Sequence, residues 1–483
     1  KDKGDMSGYH LIVLAKNYNG YKNLIRLVSN SWVDGYYMRP RTDRADLEKY
    51  HEDLIVCSAC IAGEVPAKIL KGDIAGAREA CEWYHNLFGD DYYLELQRHK
   101  VPDDPSLLAN REAYELQQKA NKVLIEFAKE YGIKLVCTND CHFEDKETAE
   151  AHDHLLCIAT GKDLDDPNRM RYSKQEWFKT RQEMNDVFSD IPEALSNTLE
   201  VLDKVEIYSI DHGPIMPFFP IPESFGTEEQ LRQRVSEQDL YKEFTSDENG
   251  ENQLPPEEGQ KVIDRLGGYD KIYRIKFEAE YLRHLAYEGA KKLYGDPLPA
   301  NVDEHVNFEL HVMKTMGFPG YFLIVSDFIK AAREELGVMV GPGRGSAAGS
   351  VVAYCLGITK IDPLKYDLLF ERFLNPDRVN LPDIDTDFDD DGRGKVLRWV
   401  MDKYGHENCA HIITYGSMAT KNSIKDVARV EKLPLDKANA LCKAIPDRLP
   451  DGAKMNLPNA IKYTPELKEA EYSSDPRESN TIK

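Results

Sequence analysis

With 483 residues, 41% hydrophobic and 30% charged, the chain has the composition of a folded protein long enough for roughly two to four domains. A net charge of −22 argues against a passive nucleic-acid-coating protein, though not against an enzyme with a local basic groove. No run of about 18 apolar residues occurs, no secretory signal precedes Tyr9, and nine irregularly spaced cysteines make no disulfide framework. A reducing cytoplasmic location without membrane association is therefore expected. Lys1 in place of a start methionine, and a polar end at Lys483, lead us to expect a piece of a longer polypeptide.

In chain order, Tyr9–Ala15, Asp53–Cys57, Asp91–Leu96 and Ile133–Cys137 predict four strands. A helix is predicted near Asp73–Phe88. Another follows from Ala120, Val123, Leu124, Phe127, Ala128 and Tyr131, with Gly132 as its stop. This alternation predicts parallel pairing, in a doubly wound sheet or a barrel. Cys60, His99, Asp140 and His142 fall just past strand ends, where βα folds build their sites, and their mixed soft and hard donors suit a metal cluster. Taken singly, His99 also reads as an exposed loop residue, Asp140 as a helix N-cap and Cys60 as a small buried hydrophobe. His152 and His154 read as helix-surface residues.

The segments GYHLIVLAKN, LIVCSACIAGEVP, YLELQRH and VCTNDCHF resemble the PHP (polymerase and histidinol phosphatase) domain of bacterial replicative polymerases. The resemblance implies that His10, Cys60, His99, Asp140 and His142 are ligands of a multinuclear Zn²⁺, Mn²⁺ or Fe cluster, whose first ligands lie upstream of Lys1. It also implies a surface that can dock a proofreading exonuclease. The residues alone do not single out His10, which opens its strand.

Residues 226–270 are acidic and broken at Asn249-Gly250 and Pro255-Pro256, which predicts a surface insertion or linker. A helix over Ile275–Tyr294 and an amphipathic helix ending at Gly337 follow. Val338–Val340 predicts a short strand leading into the tight loop Gly341–Ser346 and a small-residue helix from Ala347. Strand, glycine loop and helix start suit an anion, with Arg344 and Ser346 adding a cation and a hydroxyl, although a structural turn reads the same way. The loop is not a P-loop, because the Lys-Ser/Thr ending is absent.

Arg372 and Arg378 offer bidentate phosphate contacts, unless they pair with Glu371 and Asp377. From Asp383 to Phe388 acidic residues alternate with Ile384, Thr386 and Phe388. A strand there would project Asp383, Asp385 and Asp387 from one face, as a hard-cation site or as a solvated acidic edge. Phosphate loop, arginines and spaced carboxylates together suit a nucleoside triphosphate held with two divalent ions.

The run from Gly337 to Phe388 resembles the palm of the C-family bacterial replicative polymerases, the DNA polymerase III alpha family. That resemblance implies template-directed DNA synthesis from dNTPs on a primer–template, with two Mg²⁺ ions on Asp385 and Asp387. It places Gly345 and Ser346 at the triphosphate, to which the reading of the loop adds Gly343 and Arg344, with Arg372 and Arg378 nearby. Asp383 becomes a supporting acid, and Asp389–Asp391 cap a helix over Gly392–Tyr404. The family's third aspartate, on an F-D-F-L-G-L-like strand, has no counterpart before Lys483, so the segment alone is expected to be inactive.

Ile412–Gly416 predicts a strand and Ser417–Lys432 a helix, where Lys421, Lys425 and Arg429 form a basic stripe: a solvated face or a duplex-phosphate contact. The expected fold is α/β and multidomain. It comprises a PHP-type distorted β/α barrel at 1–225, the insertion at 226–270, a mixed α/β nucleotidyltransferase palm at 271–416 and a partial helical thumb at 417–483. Sliding-clamp and clamp-loader contacts are expected through regions beyond the chain. A PHP-type phosphoesterase or 3′–5′ exonuclease, or a non-catalytic docking fragment, are the competing readings.

Overall fold

The computed structural model describes residues 8–102, 111–211, 215, 217–375 and 381–483. These divide into two compact units, one drawn from 1–210 with 415–483 and the other from 211–414.

The first unit holds a four-stranded sheet in the order β1 (Ile12–Ala15), β2 (Leu54–Cys57), β3 (Tyr92–Gln97) and β4 (Lys134–Thr138). Every residue of β2 and β3 is buried, as parallel strands covered on both faces require. One face packs Val56, Leu94 and Leu96 against Cys81, Phe88, Leu124 and Phe127 from helices Ile74–Phe88 and Glu112–Tyr131. The other packs Ile55, Tyr93 and Val136 against Val201 and Val205. Gly132 ends its helix in the left-handed conformation, φ +69°, with its N–H on the Ala128 carbonyl.

The pairs β2–β3 and β3–β4 are parallel, as the strand–helix alternation predicts. The pair β1–β2 is antiparallel, from Ile12 opposite Cys57 to Ala15 opposite Leu54, which corrects the all-parallel expectation. Strand β1 is an edge whose residues alternate between exposed and half-buried, so it is not bound by the two-sided burial that parallel strands need. Among the described residues the sheet is open, with β1 and β4 at its edges, and no barrel closes.

The helices of 420–482 share a core of Ile424, Ala428, Leu441, Ala460, Leu467 and Ile482. Helix Thr420–Val430 packs on helix Ala149–Thr160, where His154 Nε2 lies 2.6 Å from Glu431 Oε1. Lys432 Nζ sits 2.7 Å from Asp165 Oδ2. His154 is thus a docking contact and not a bare surface residue, and the His152 ring lies among His142, Phe143 and Tyr172. The strand expected at 412–416 does not form: Ile412, Ile413 and Tyr415 are exposed with no ladder partner among the described residues.

In the second unit, helices Tyr269–Tyr294, Ala300–Thr315 and Pro319–Glu334 enclose Leu282, Val306, Met313, Phe322 and Val352. Gly289 lets the first of these touch helix Val351–Cys355, since a Cβ there would lie 1.9 Å from the Cys355 carbonyl oxygen. Residues 226–270 are more ordered than their acidity suggests. Helices Glu228–Arg234, Glu237–Thr245 and Pro256–Arg265 form there, and Leu240, Phe244 and Ile263 pack with Ile272 and Tyr273. Capping boxes at Thr227/Gln230 and Ser236/Asp239 start the first two, a signal readable in the sequence and masked by its charge. No helix among the described residues is long and apolar enough to cross a membrane.

All nine cysteines are unpaired thiols. Burial pushes the Cys57 and Cys81 thiols up to about 12, while Cys141 is exposed. Native-state alkylation followed by mass spectrometry should therefore label Cys141 well before Cys57 or Cys81. Equal labelling rates would contradict this placement.

Candidate active site

The loop and the acidic run meet through backbone pairing. Gly341 N–H donates to the Asp387 carbonyl at 2.9 Å, Asp389 N–H donates to the Met339 carbonyl at 3.1 Å, and Val340 forms an antiparallel bridge with Phe388. The predicted strands at 338–340 and 383–388 shrink to this one bridge, because Asp383–Asp387 has no ladder partner among the described residues. The alternation survives in the packing: Ile384 and Phe388 turn to apolar cores. Asp389 caps helix Asp390–Tyr404 through Gly392 N–H and also accepts from Met339 N–H at 2.8 Å.

Arg344 closes the site. Its Nη1 lies 2.7 Å from Asp385 Oδ2 and its Nε 3.2 Å from Asp387 Oδ2, so one guanidinium bridges two carboxylates that would otherwise repel. Gly343 (φ +92°) and Gly345 (φ +71°) hold left-handed conformations. A Cβ on Gly345 would sit 3.2 Å from Asp385 Oδ2, and one on Gly343 would sit 2.9 Å from Thr359 Cγ2. Lys360 N–H donates to the Pro342 carbonyl at 2.8 Å and anchors the loop's first half.

Ser346 is exposed at the loop's end, on a 3₁₀ turn, Gly345–Gly349, and the helix starts at Val351 instead of Ala347. The first helix amides do not face outward: Val351 and Val352 N–H donate to Glu309, and Ala353 N–H donates to Ser350 Oγ. The loop amides and Arg344, not the helix end, are what remains for an anion. Arg372 is exposed and forms no ion pair among the described residues, and Arg378 lies outside the described residues.

Asp385 and Asp387 are hard oxygen donors that share one positive group, so the pair fits a divalent ion in its donor chemistry. Exposed ion pairs of this kind are worth about 0–1 kcal/mol each, so an incoming cation can displace the guanidinium at little cost.

In the first unit the five predicted PHP ligands form smaller groups. His10 Nδ1 lies 3.4 Å from Cys60 Sγ, and His142 Nε2 lies 3.6 Å from Asp140 Oδ1. Ala59 (φ +62°) and Asp140 (φ +44°) make the sharp turns that aim these residues off β2 and β4. His99 is buried with both ring nitrogens in use: Nε2 meets the Asn139 carbonyl at 3.0 Å, and Nδ1 meets Gln117 Nε2 at 3.0 Å and Glu176 Oε1 at 3.3 Å. A metal at His99 must displace one of these partners, and burial holds its pKa below the usual histidine value. Among the described residues no group of three or more His, Cys, Asp or Glu side chains is disposed to hold a metal.

Sequence reading missed two buried carboxylates here. Glu95 on β3 has its pKa raised by burial and an Oε2 with no hydrogen-bond partner in the structure; a lone acid inside YYLELQ was its signal. Glu176 accepts from Ser173 N–H at 3.0 Å and Gln175 N–H at 2.9 Å, and nothing in the local sequence marks it. On helix Thr420–Val430, Lys425 and Arg429 are exposed. Lys421 Nζ lies 3.5 Å from Asp447, and Arg429 Nη1 lies 3.9 Å from Asp163.

Comparison with known proteins finds a family model described as the bacterial DNA polymerase III alpha NTPase domain over residues 280–482, and a PHP domain model over residues 2–99. Both fall on the segments that carry the two sites. Over nearly its whole length the chain is similar to alpha subunits of bacterial DNA polymerase III. It is 41% identical to the alpha subunit of Borreliella burgdorferi DNA polymerase III, covering 95% of this chain and 34% of that protein. It is 38% identical to the Campylobacter jejuni subunit (97% and 36% covered) and 39% identical to that of Thermus aquaticus (99% and 38% covered). The chain thus spans about a third of the length of the DNA polymerase III alpha subunits it matches. The PHP match includes His10, Cys60 and His99 and stops before Asp140 and His142.

Because Arg344 competes with a cation for Asp385 and Asp387, R344Q should raise Mn²⁺ affinity at this pair about fivefold. Mn²⁺ titration followed by electron paramagnetic resonance measures this, with D385N identifying the signal. Unchanged or weaker Mn²⁺ binding in R344Q would contradict the bridge.

Proposed function

We propose that this segment carries the nucleotide end of a replicative DNA polymerase acting in the bacterial cytoplasm. The reaction is template-directed nucleotidyl transfer. The primer 3′-oxygen bonds to the α-phosphorus of a dNTP, the α–β phosphoanhydride breaks, pyrophosphate leaves, and the hydroxyl proton is lost. The observation that carries this reading is the single surface made by Gly341–Ser346 and the Asp385–Asp387 pair, joined by Arg344.

In this reading the loop amides at Gly343, Gly345 and Ser346 receive phosphate oxygens, and Arg344 leaves the carboxylates to pair with them. Arg372 and Arg378 add charge around the triphosphate. Asp385 and Asp387 hold two divalent ions, generally Mg²⁺, which when bound lower the pKa of the attacking hydroxyl and stabilise the leaving pyrophosphate. Lys421, Lys425 and Arg429 contact duplex phosphates without reading sequence. In residues 1–225 we assign His10, Cys60, Asp140 and His142 to metal binding, supported by the His10–Cys60 and Asp140–His142 contacts, with His99 recruited by breaking a present hydrogen bond. A proofreading exonuclease would dock on residues 1–225, and clamp and clamp-loader contacts would be made by regions beyond this sequence.

The test uses a polypeptide of the length of the alpha subunits this chain matches, since the chain spans about a third of their length. Mg²⁺-dependent primer extension should fall by at least about two orders of magnitude in D385N and in D387N. D383N should stay within a few fold of wild type. Full extension by either of the first two variants would sink the assignment.

A further inference from the structure

Glu309, on helix Ala300–Thr315, is 1% exposed, yet among the described residues it pairs with no cation. Its carboxylate instead collects three donors from one short stretch of chain. Ser350 Oγ donates to Oε2 at 2.7 Å, Val351 N–H to Oε1 at 2.8 Å, and Val352 N–H to Oε2 at 2.9 Å. Ser350 Oγ in turn accepts from Ala353 N–H at 3.0 Å.

The helix so clamped, Val351–Cys355, has five residues and is far too short to hold itself in water. Its start is fixed from outside, and the turn Gly345–Gly349 that precedes it is fixed with it. Ala347, Ala348 and Gly349 are buried, and a Cβ on Gly349 would lie 2.7 Å from the Leu369 carbonyl oxygen. No slack therefore separates Glu309's contacts from Gly345 and Ser346. The loop's other half hangs on the Pro342–Lys360 bond, so Glu309 is the anchor of the half that carries Gly345 and Ser346.

Burial pushes the Glu309 carboxyl up to about 7, with Glu371 adding to the rise, while the three donors pull it down. A buried acid kept against that penalty has a task that a hydrophobic residue could not perform, which is accepting the helix amides.

We propose that Glu309 is a positioning residue of the nucleotide site, clamping Ser350, Val351 and Val352 so that the loop 341–346 is held ready for the incoming nucleotide. This rests on the polymerase reading above. Glu309 touches neither nucleotide nor metal, and its effect falls on nucleotide affinity and not on the rate of transfer.

Single-turnover incorporation by the longer natural polypeptide separates the two quantities. E309Q keeps the volume but points an amide N–H₂ at one of the three donors, leaving a buried N–H without an acceptor. The apparent dNTP Kd should rise about tenfold, with the maximal rate within about twofold and primer–template affinity unchanged. S350A, which removes one clamp bond and is the gentler variant should E309Q melt early, should raise the dNTP Kd about threefold in the same pattern. If wild type extends the primer and both variants keep the wild-type dNTP Kd, the clamp inference is overturned. A matched loss of rate, DNA affinity and dNTP affinity also overturns it, since that is the signature of a residue supporting only the fold. If wild type itself extends no primer, the polymerase reading fails and takes the inference with it.

Discussion

The antiparallel contact between residues 339–341 and 387–389 is the constraint on which the site depends. Two backbone hydrogen bonds and one bridge join segments 46 to 50 positions apart in sequence, and they bring a glycine loop against a row of acids. Without it the loop is one more tight turn and the aspartates one more acidic edge. Gly341 makes the approach possible, since a Cβ there would already press on Asp387 Cβ at 3.2 Å. Phe388 and Val340 then bury the seam beneath with Val338 and Val396.

The electrostatics follow from that contact. Asp385 and Asp387 both reach Arg344 on the facing loop, which supplies the opposing charge. The same guanidinium suits phosphate, so it can be shared between carboxylates and a triphosphate as cations arrive. Behind the loop, the buried Glu309 takes the helix amides that an anion would otherwise use. Charge is thus arranged in layers. The inner carboxylate is held by three hydrogen bonds, whereas the outer pair is exposed, weakly held and exchangeable.

Much of this was legible in the sequence where the cause is local. Gly132 ends helix Glu112–Tyr131 and Asp389 caps helix Asp390–Tyr404, because both effects act within a few residues. The alternation with aspartates placed Ile384 and Phe388 inward, as they are, although Thr386 joins no apolar core and the strand behind the expectation does not form. What was not legible depends on distant partners. Nothing around Glu309 announces three donors 41–43 positions away, and nothing around His154 announces Glu431. The antiparallel entry of β1 was hidden because a short apolar run looks the same whichever way it pairs. The helices within 226–270 were obscured by acidity, although their capping boxes are written in plain order.

The central claim is that loop and carboxylates form one site, binding a divalent ion and a nucleotide's phosphates together. The most direct measurement is electron–nuclear double resonance on the longer natural polypeptide with Mn²⁺, primer–template and a non-hydrolysable dNTP. The account predicts ³¹P hyperfine coupling to Mn²⁺ that disappears when Asp385 or Asp387 is changed to Asn. Bound Mn²⁺ without phosphorus coupling, or coupling that survives both substitutions, would contradict it.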